Sequence, residues 1–262
     1  MIVRTLPDGT TALIGQTDHS RLVGQLAAHW GNATFAAPVP FDSVVRAATY
    51  HDFGWLDYET RPLVNPETGR PYEFRELPFR PAQLAAYRRW MDWLGEIDPY
   101  SAWLVNHHRT GLWQARYGTI AHPGMRYNPQ NVAPPIQAFI AEQEAVQARL
   151  RECLAPGGLQ VNYHLLQVWD LLGLYFCCSA PYDEYIEPVP TQYEPGEGAA
   201  VRLELQPQSD WEVALTPYPF DVRPLRVQIA YKALPEPTYP SQEAFTRAYF
   251  QAESRLLTYT LT

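Results

Sequence analysis

Tyr50-His51-Asp52-Phe53-Gly54-Trp55 sets an imidazole and a carboxylate side by side at the end of a run with helical spacing. Val44, Ala47, Ala48 and His51 fall at i, i+3, i+4 and i+7, so the imidazole points where the apolar face points. Asp42 or Ser43 is the expected N-cap of this helix. Asp52 follows at its end, and Gly54 permits a sharp exit. A His-Asp pair alone says little; its meaning depends on the elements around it.

Upstream, Ile2–Leu6 and Thr11–Gly15 flank Asp8-Gly9 and read as a hairpin. A helix follows, with Thr17 or Asp18 as N-cap and Leu22, Val23, Leu26, Ala27 and Trp30 as its stripe. His19 shares that buried face, whereas His29 sits at its rim. Downstream, Trp55 to Phe79 lacks periodicity and carries four Pro- or Gly-containing turn pairs, which reads as a long ordered loop of the kind that often serves as a lid. Pro81 opens a further helix, and Asp98-Pro99 opens the next, where Leu104, Val105, His108 and Leu112 share a face. His107 lies one step round from that face. Residues 113–133 read as irregular. A helix runs from Pro135 to Leu154 and ends at Pro156-Gly157-Gly158.

The stretch from about Gln160 to Ser179 is apolar on every side, and a helix of that kind is buried on every side. Beyond Pro181 the character changes. Pro188, Pro190 and Pro195 with Gly196 and Gly198 read as a linker, and then Val201–Leu205, Trp211–Leu215 and Leu225–Tyr231 alternate with the strand period. A helix from Ser241 and a strand over Leu256–Leu261 close the chain. The expected fold is therefore mostly α. A helical domain with an N-terminal hairpin fills 1–180 and a β-rich extension packs on it over 181–262, the division into two units being open.

The 262 residues are 46% apolar and 18% charged, with a net charge of −8 and no basic run. That suits a folded chain and argues against nucleic acid polymers or an anionic membrane as partners. Three cysteines without a CxxC make no disulfide framework, no run is long enough to span a bilayer, and the N-terminus does not read as a signal peptide. The expected setting is cytoplasmic.

Asp170 sits in the middle of the apolar helix, and a buried carboxylate needs a partner from elsewhere in the fold. His19, His51 and His108 each face the core of their own helix, and Asp52 adjoins one of them. Three inward imidazoles and two carboxylates on four successive core helices suit a divalent transition metal.

The order His19, His51-Asp52, His108, Asp170 resembles that of the HD-domain metal-dependent phosphohydrolases, over roughly residues 17–179. The resemblance implies an HD-like helical core in which His19, His51, Asp52 and Asp170 bind the metal and His108 supports a second one. The chain also resembles a smaller bacterial family of HD-like proteins, through Gln16–Ser20, His51–Trp55, the loop Pro62–Phe74, His108–Leu112 and Leu166–Asp170. That likeness covers most of the chain and brings no established activity. The HD-domain likeness implies one or two ions of Mn, Fe, Zn, Ni or Co and hydrolysis of a phosphoester, nucleotides included. Asp52 would act as ligand and catalytic group, and His107 as proton shuttle. Arg61, Arg75 and Arg109 would grip phosphate, and Trp55 and Phe74 would line the pocket. The expected partner is a small phosphorylated molecule, and a homodimer is left open. Two alternatives stand: an HD-like di-iron oxygenase, and a non-enzymatic scaffold that binds a ligand or partner.

Overall fold

The computed structural model describes residues 1–78, 80–114, 133–155 and 157–262. The chain begins with strands β1 (Ile2–Thr5) and β2 (Thr11–Ile14), joined through Gly9 at φ +85°. Helices α1 (Gln16–Ala28) and α2 (Phe41–Tyr50) follow, then a 3₁₀ turn (Phe53–Trp55) and the single-turn α3 (Leu56–Glu59). Next come α4 (Pro81–Ile97), α5 (Pro99–Trp113), α6 (Pro134–Glu152) and α7 (Leu159–Cys178). The rest is β3 (Glu184–Pro190), β4 (Ala200–Ser209), β5 (Glu212–Thr216), β6 (Leu225–Leu234), α8 (Gln242–Gln251) and β7 (Glu253–Leu261).

The strands form one seven-stranded sheet, ordered β1-β2-β6-β7-β5-β4-β3. All neighbours are antiparallel except β5 and β7. This overturns the expectation of a mostly α chain with an HD-like helical core: helix accounts for 46% and strand for 22% of the described residues, and the sheet is as much a part of the core as the helices. The physical reason lies in the faces of β2. Ala12 and Ile14 pack with the helical core, whereas Leu13 points the other way, into a second cluster with Met1, Val64, Leu234, Tyr239 and Phe245. Strand β2 is thus buried on both sides and pairs with β6 through Leu13↔Lys232. The linker reading is also corrected at Pro188 and Pro190, which lie within β3. Ile186 and Val189 point inward from β3, and Pro188 falls where the pairing with β4 slips register.

Helix α7 is the axis of the helical layer. Val168, Trp169, Leu172, Phe176 and Cys177 have no exposed surface, and the helix packs on α1, α2, α5, β1 and β3. Two helix starts differ from expectation. The N-caps are Gly15 and Pro40, so Thr17, Asp18, Asp42 and Ser43 lie inside first turns. For α1 a carboxylate from elsewhere takes the cap's place: Glu59 accepts from Thr17 N–H at 3.1 Å and from Thr17 Oγ1 at 2.5 Å. Asp98 caps α5 as its spacing predicts, accepting from Tyr100 and Ser101 N–H.

The loop after α3 is ordered and tied down. Val64 bridges Pro71, Gly69 O accepts from Tyr239 N–H at 2.7 Å, and Gln242 holds Pro62 and Val64. Phe74 N–H donates to Met1 O at 2.8 Å. The stretch read as irregular, 113–133, lies mostly outside the described residues, as do Phe79 and Pro156. Among the described residues no helix is long and apolar enough to cross a membrane.

Candidate metal centre

Four side chains from three segments meet where α1, α2 and α7 converge. On α1, the stripe that buries Leu22, Val23 and Leu26 also buries His19. Its Nε2 lies 2.8 Å from Asp170 Oδ1. The ring fits because α7 carries Gly173 one turn after Asp170. A Cβ there would stand 2.7 Å from His19 Cε1 and 2.6 Å from Val23 Cγ2.

His51 closes α2. Its Nδ1 is 2.8 Å from Ala48 O and 3.0 Å from Ser20 Oγ, so Nδ1–H donates to the carbonyl and Nε2 is turned inward. Nε2 lies 3.1 Å from Asp170 Oδ1 and 3.7 Å from Asp52 Oδ2. This is how a metal-ligating histidine is held, with one ring nitrogen on a carbonyl and the other on the ion. Asp52 leaves the helix with its N–H on Ser20 Oγ at 3.3 Å. Its Oδ1 is buried and has no partner. Gly54 then lets the chain pass under Tyr87, where a Cβ would come within 2.0 Å of the Tyr87 ring.

Ligand atoms of His19, His51, Asp52 and Asp170 lie within 4.8 Å of one another, all buried. Two nitrogens and two oxygens at that spacing can hold a metal ion. The titration behaviour fits a site built for positive charge. Burial disfavours the charged form of His51, yet Asp52 and the hydrogen bond and charge of Asp170 outweigh it and raise its pKa to about 9. Burial likewise opposes ionisation of Asp170, but hydrogen bonds from His19 and His51 hold it well below the usual carboxylate range.

The other sequence candidates are placed differently. His108 packs edge-on against His51, ring centroids 4.8 Å apart, and falls outside the group of four. Burial, then the charge on His51, pushes its pKa well down, so it stays neutral. His107 stacks on Trp103 at 4.5 Å, meets Tyr163 at 4.4 Å and places Nδ1 3.1 Å from Gln147 Oε1. Tyr163 lies two turns, about 10 Å, before Asp170 on α7, so the structure brings His107 to the other end of that helix. Arg61 is exposed. Arg75 is exposed too and is held by Glu73 at 3.1 Å and over the Phe74 ring. Phe74 packs against the main core, and Trp55 is buried edge-on against Tyr58 and Tyr87. Arg109 stands between Tyr87 and Trp113, 4.8 and 4.2 Å from their rings, with Nε buried and unpartnered.

A family model described as a protein of unknown function, DUF3891, matches residues 1–236. The chain belongs to that family. No curated protein and no solved structure matches the chain. The family membership therefore covers the whole of the candidate centre and names no reaction for it.

Sequence reasoning passed over Ser20, Tyr87, Gly173 and Gln167. Ser20 stands beside His19, but nothing local says that it meets α2. Gln167, one turn before Asp170, buries both amide atoms without a partner. Its lone polar side chain among Leu165, Leu166, Val168 and Trp169 was the available signal.

Proposed function

We propose that the protein is a metal-dependent hydrolase of a small phosphoester, nucleotides among the candidates. One divalent transition metal ion (Mn, Fe, Zn, Ni or Co) is held by His19, His51, Asp52 and Asp170. The observation that carries this reading is the meeting of two imidazoles and two carboxylates below the surface, within 4.8 Å. Packing alone gives no reason for the second acid. Asp170 already has two imidazole partners, yet Asp52 is brought in with one oxygen buried and unpaired.

When bound, the ion lowers the pKa of a coordinated water toward neutrality and offsets charge on a phosphoryl oxygen. The chain's own residues do the rest. Ala48 O and Ser20 aim His51, Gly173 admits His19, and Asp52 offers its unpaired oxygen. Arg109, next to His108, has an unused Nε and suits a phosphate oxygen. Arg61 and Arg75 drop out of the reading because they are exposed. His107 drops out as shuttle because it faces Gln147, which also leaves the two-iron alternative a ligand short. The HD-type assignment rests on ligand order along the chain and not on overall architecture.

The test is metal analysis of purified wild type, His51→Ala and Asp52→Ala, followed by a phosphoester panel with added Mn, Mg or Ni. Wild type should retain about one metal per chain and hydrolyse a member of the panel, and both variants should lose metal and activity together. Equal metal content in all three proteins would sink the site. Bound metal with no activity, and without an iron absorption band, would favour the binding scaffold.

A further inference from the structure

Arg4 is a buried cation that, among the described residues, has no acid beside it. It lies on the inward face of β1 and is only 4% exposed. Its Nη1 donates to Phe176 O at 2.9 Å and to Tyr259 OH at 2.6 Å. The first of these places the charge at the carbonyl end of α7, where the helix dipole favours a cation. Nε and Nη2 are buried and have no acceptor, and no Asp or Glu oxygen comes within ion-pair distance among the described residues. A guanidinium has five N–H donors, of which two are used here.

The three that remain are not scattered. Nε–H and one Nη2–H run parallel along one edge of the guanidinium, the fork that grips two oxygens of a carboxylate or phosphate. A buried charge left in that state is expensive unless something pairs it. Aromatic rings flank the guanidinium. Phe176, Tyr259 and Trp211 form a row of tilted rings with centroids 5.0 and 5.4 Å apart, and the guanidinium lies 5.8 Å from the Trp211 ring. Trp211 also borders an open surface hollow with Leu6, Asp8 and Thr258.

We propose that the free edge of Arg4 is a binding site for one small oxyanion, a single carboxylate or phosphate group, separate from the candidate metal centre. The site needs neither the metal nor the hydrolase reading.

The test uses the full chain stripped of metal with EDTA, in chloride buffer, with inorganic phosphate, sulfate and acetate as probes. The Arg4 Nε–H resonance should move on titration with at least one probe and saturate in the millimolar range or below, and thermal unfolding should shift upward in step. Arg4→Lys keeps the charge without the fork and should weaken binding at least tenfold. Tyr259→Phe leaves the fork intact and should bind. Asp170→Asn, which alters the metal centre, should respond as wild type does, so a failure here is distinct from a failure of the metal reading. No movement of the Nε–H signal with any probe, or a response that survives in Arg4→Lys unchanged, overturns the proposal and leaves water as the partner of the fork.

Discussion

Remove the metal and His51 should carry a proton at neutral pH, which is unusual for an imidazole with no exposed ring atoms. Its pKa is raised from 6.5 to about 9: burial opposes the charge, but Asp52 and Asp170 more than compensate. At about 1.4 kcal/mol per pH unit, that rise corresponds to about 3 kcal/mol of stability in the metal-free protein. The sign follows from the direction of the change. A base whose folded pKa exceeds its unfolded value stabilises the fold fully below 6.5, and the contribution disappears as pH climbs to about 9. The assay is chemical denaturation of EDTA-treated wild type and His51→Gln from about pH 6 to about pH 9.5, taking the difference so that other titrating groups cancel. That difference should shrink by about 3 kcal/mol over the interval. The ring resonances of His51 should titrate near the upper end, and Asp52→Asn should bring that titration down. With metal present the trend reverses, because ligation takes the neutral imidazole and affinity then rises with pH. A flat difference between pH 6.5 and about 9, or a His51 ring already neutral at about pH 7, would refute the charge arrangement described for the centre.

Three further outcomes are expected. Gly173→Ala puts a methyl 2.6 Å from Val23 Cγ2 and 2.7 Å from His19 Cε1; it should cost about 1–3 kcal/mol in denaturation and weaken metal binding measured by calorimetry. Gln147→Leu removes the donor that reaches Asn106 Oδ1 at 2.7 Å and should cost about 1–3 kcal/mol; because His107 and Gln147 lie away from the four ligands, metal content by elemental analysis should not change. Glu59→Ala removes the acceptor of Thr17 N–H and Oγ1 at the start of α1; a loss of about 1 kcal/mol is expected, with faster amide exchange in the first turn of α1.

The candidate centre was legible because helical phase is a local property. His19 with Leu22 and Val23, His51 with Val44 and Ala48, and Asp170 within an all-apolar run each declared an inward direction without any knowledge of the fold. Phase cannot say which inward faces meet. His107 and His108 are neighbours in sequence, but adjacent helical positions diverge by about 100°, and the structure sends one to Gln147 and the other to His51. The arginines were chosen by adjacency to other motifs, and exposure is not written in adjacency. The strands of the C-terminal half showed their alternation, but the sheet as a whole did not. β2 and β6 pair across more than two hundred residues, and nothing in either strand names its partner. β3 was lost to its prolines. Cap positions slipped because Thr17, Asp18, Asp42 and Ser43 suit the first turn of a helix nearly as well as its cap.

The place of β7 has a consequence for how the chain is made. Residues 253–261 form an interior strand, hydrogen-bonded to β6 along nine residue pairs and to β5 on the other side. Before they leave the ribosome, β6 has one open edge, and β5, β4 and β3 form a separate ribbon with another. Arg4 likewise waits for Tyr259, 255 residues later. Helices α1, α2 and α7 can gather earlier, but the sheet that backs α7 is completed only when residues 253–261 join it. Vectorial synthesis thus leaves two unpaired apolar edges exposed until late, the condition under which sheets join with the wrong partner. Deleting 253–262 should therefore yield an aggregating chain and not a shorter soluble one, with the loss felt throughout a fold that the family model covers only to residue 236.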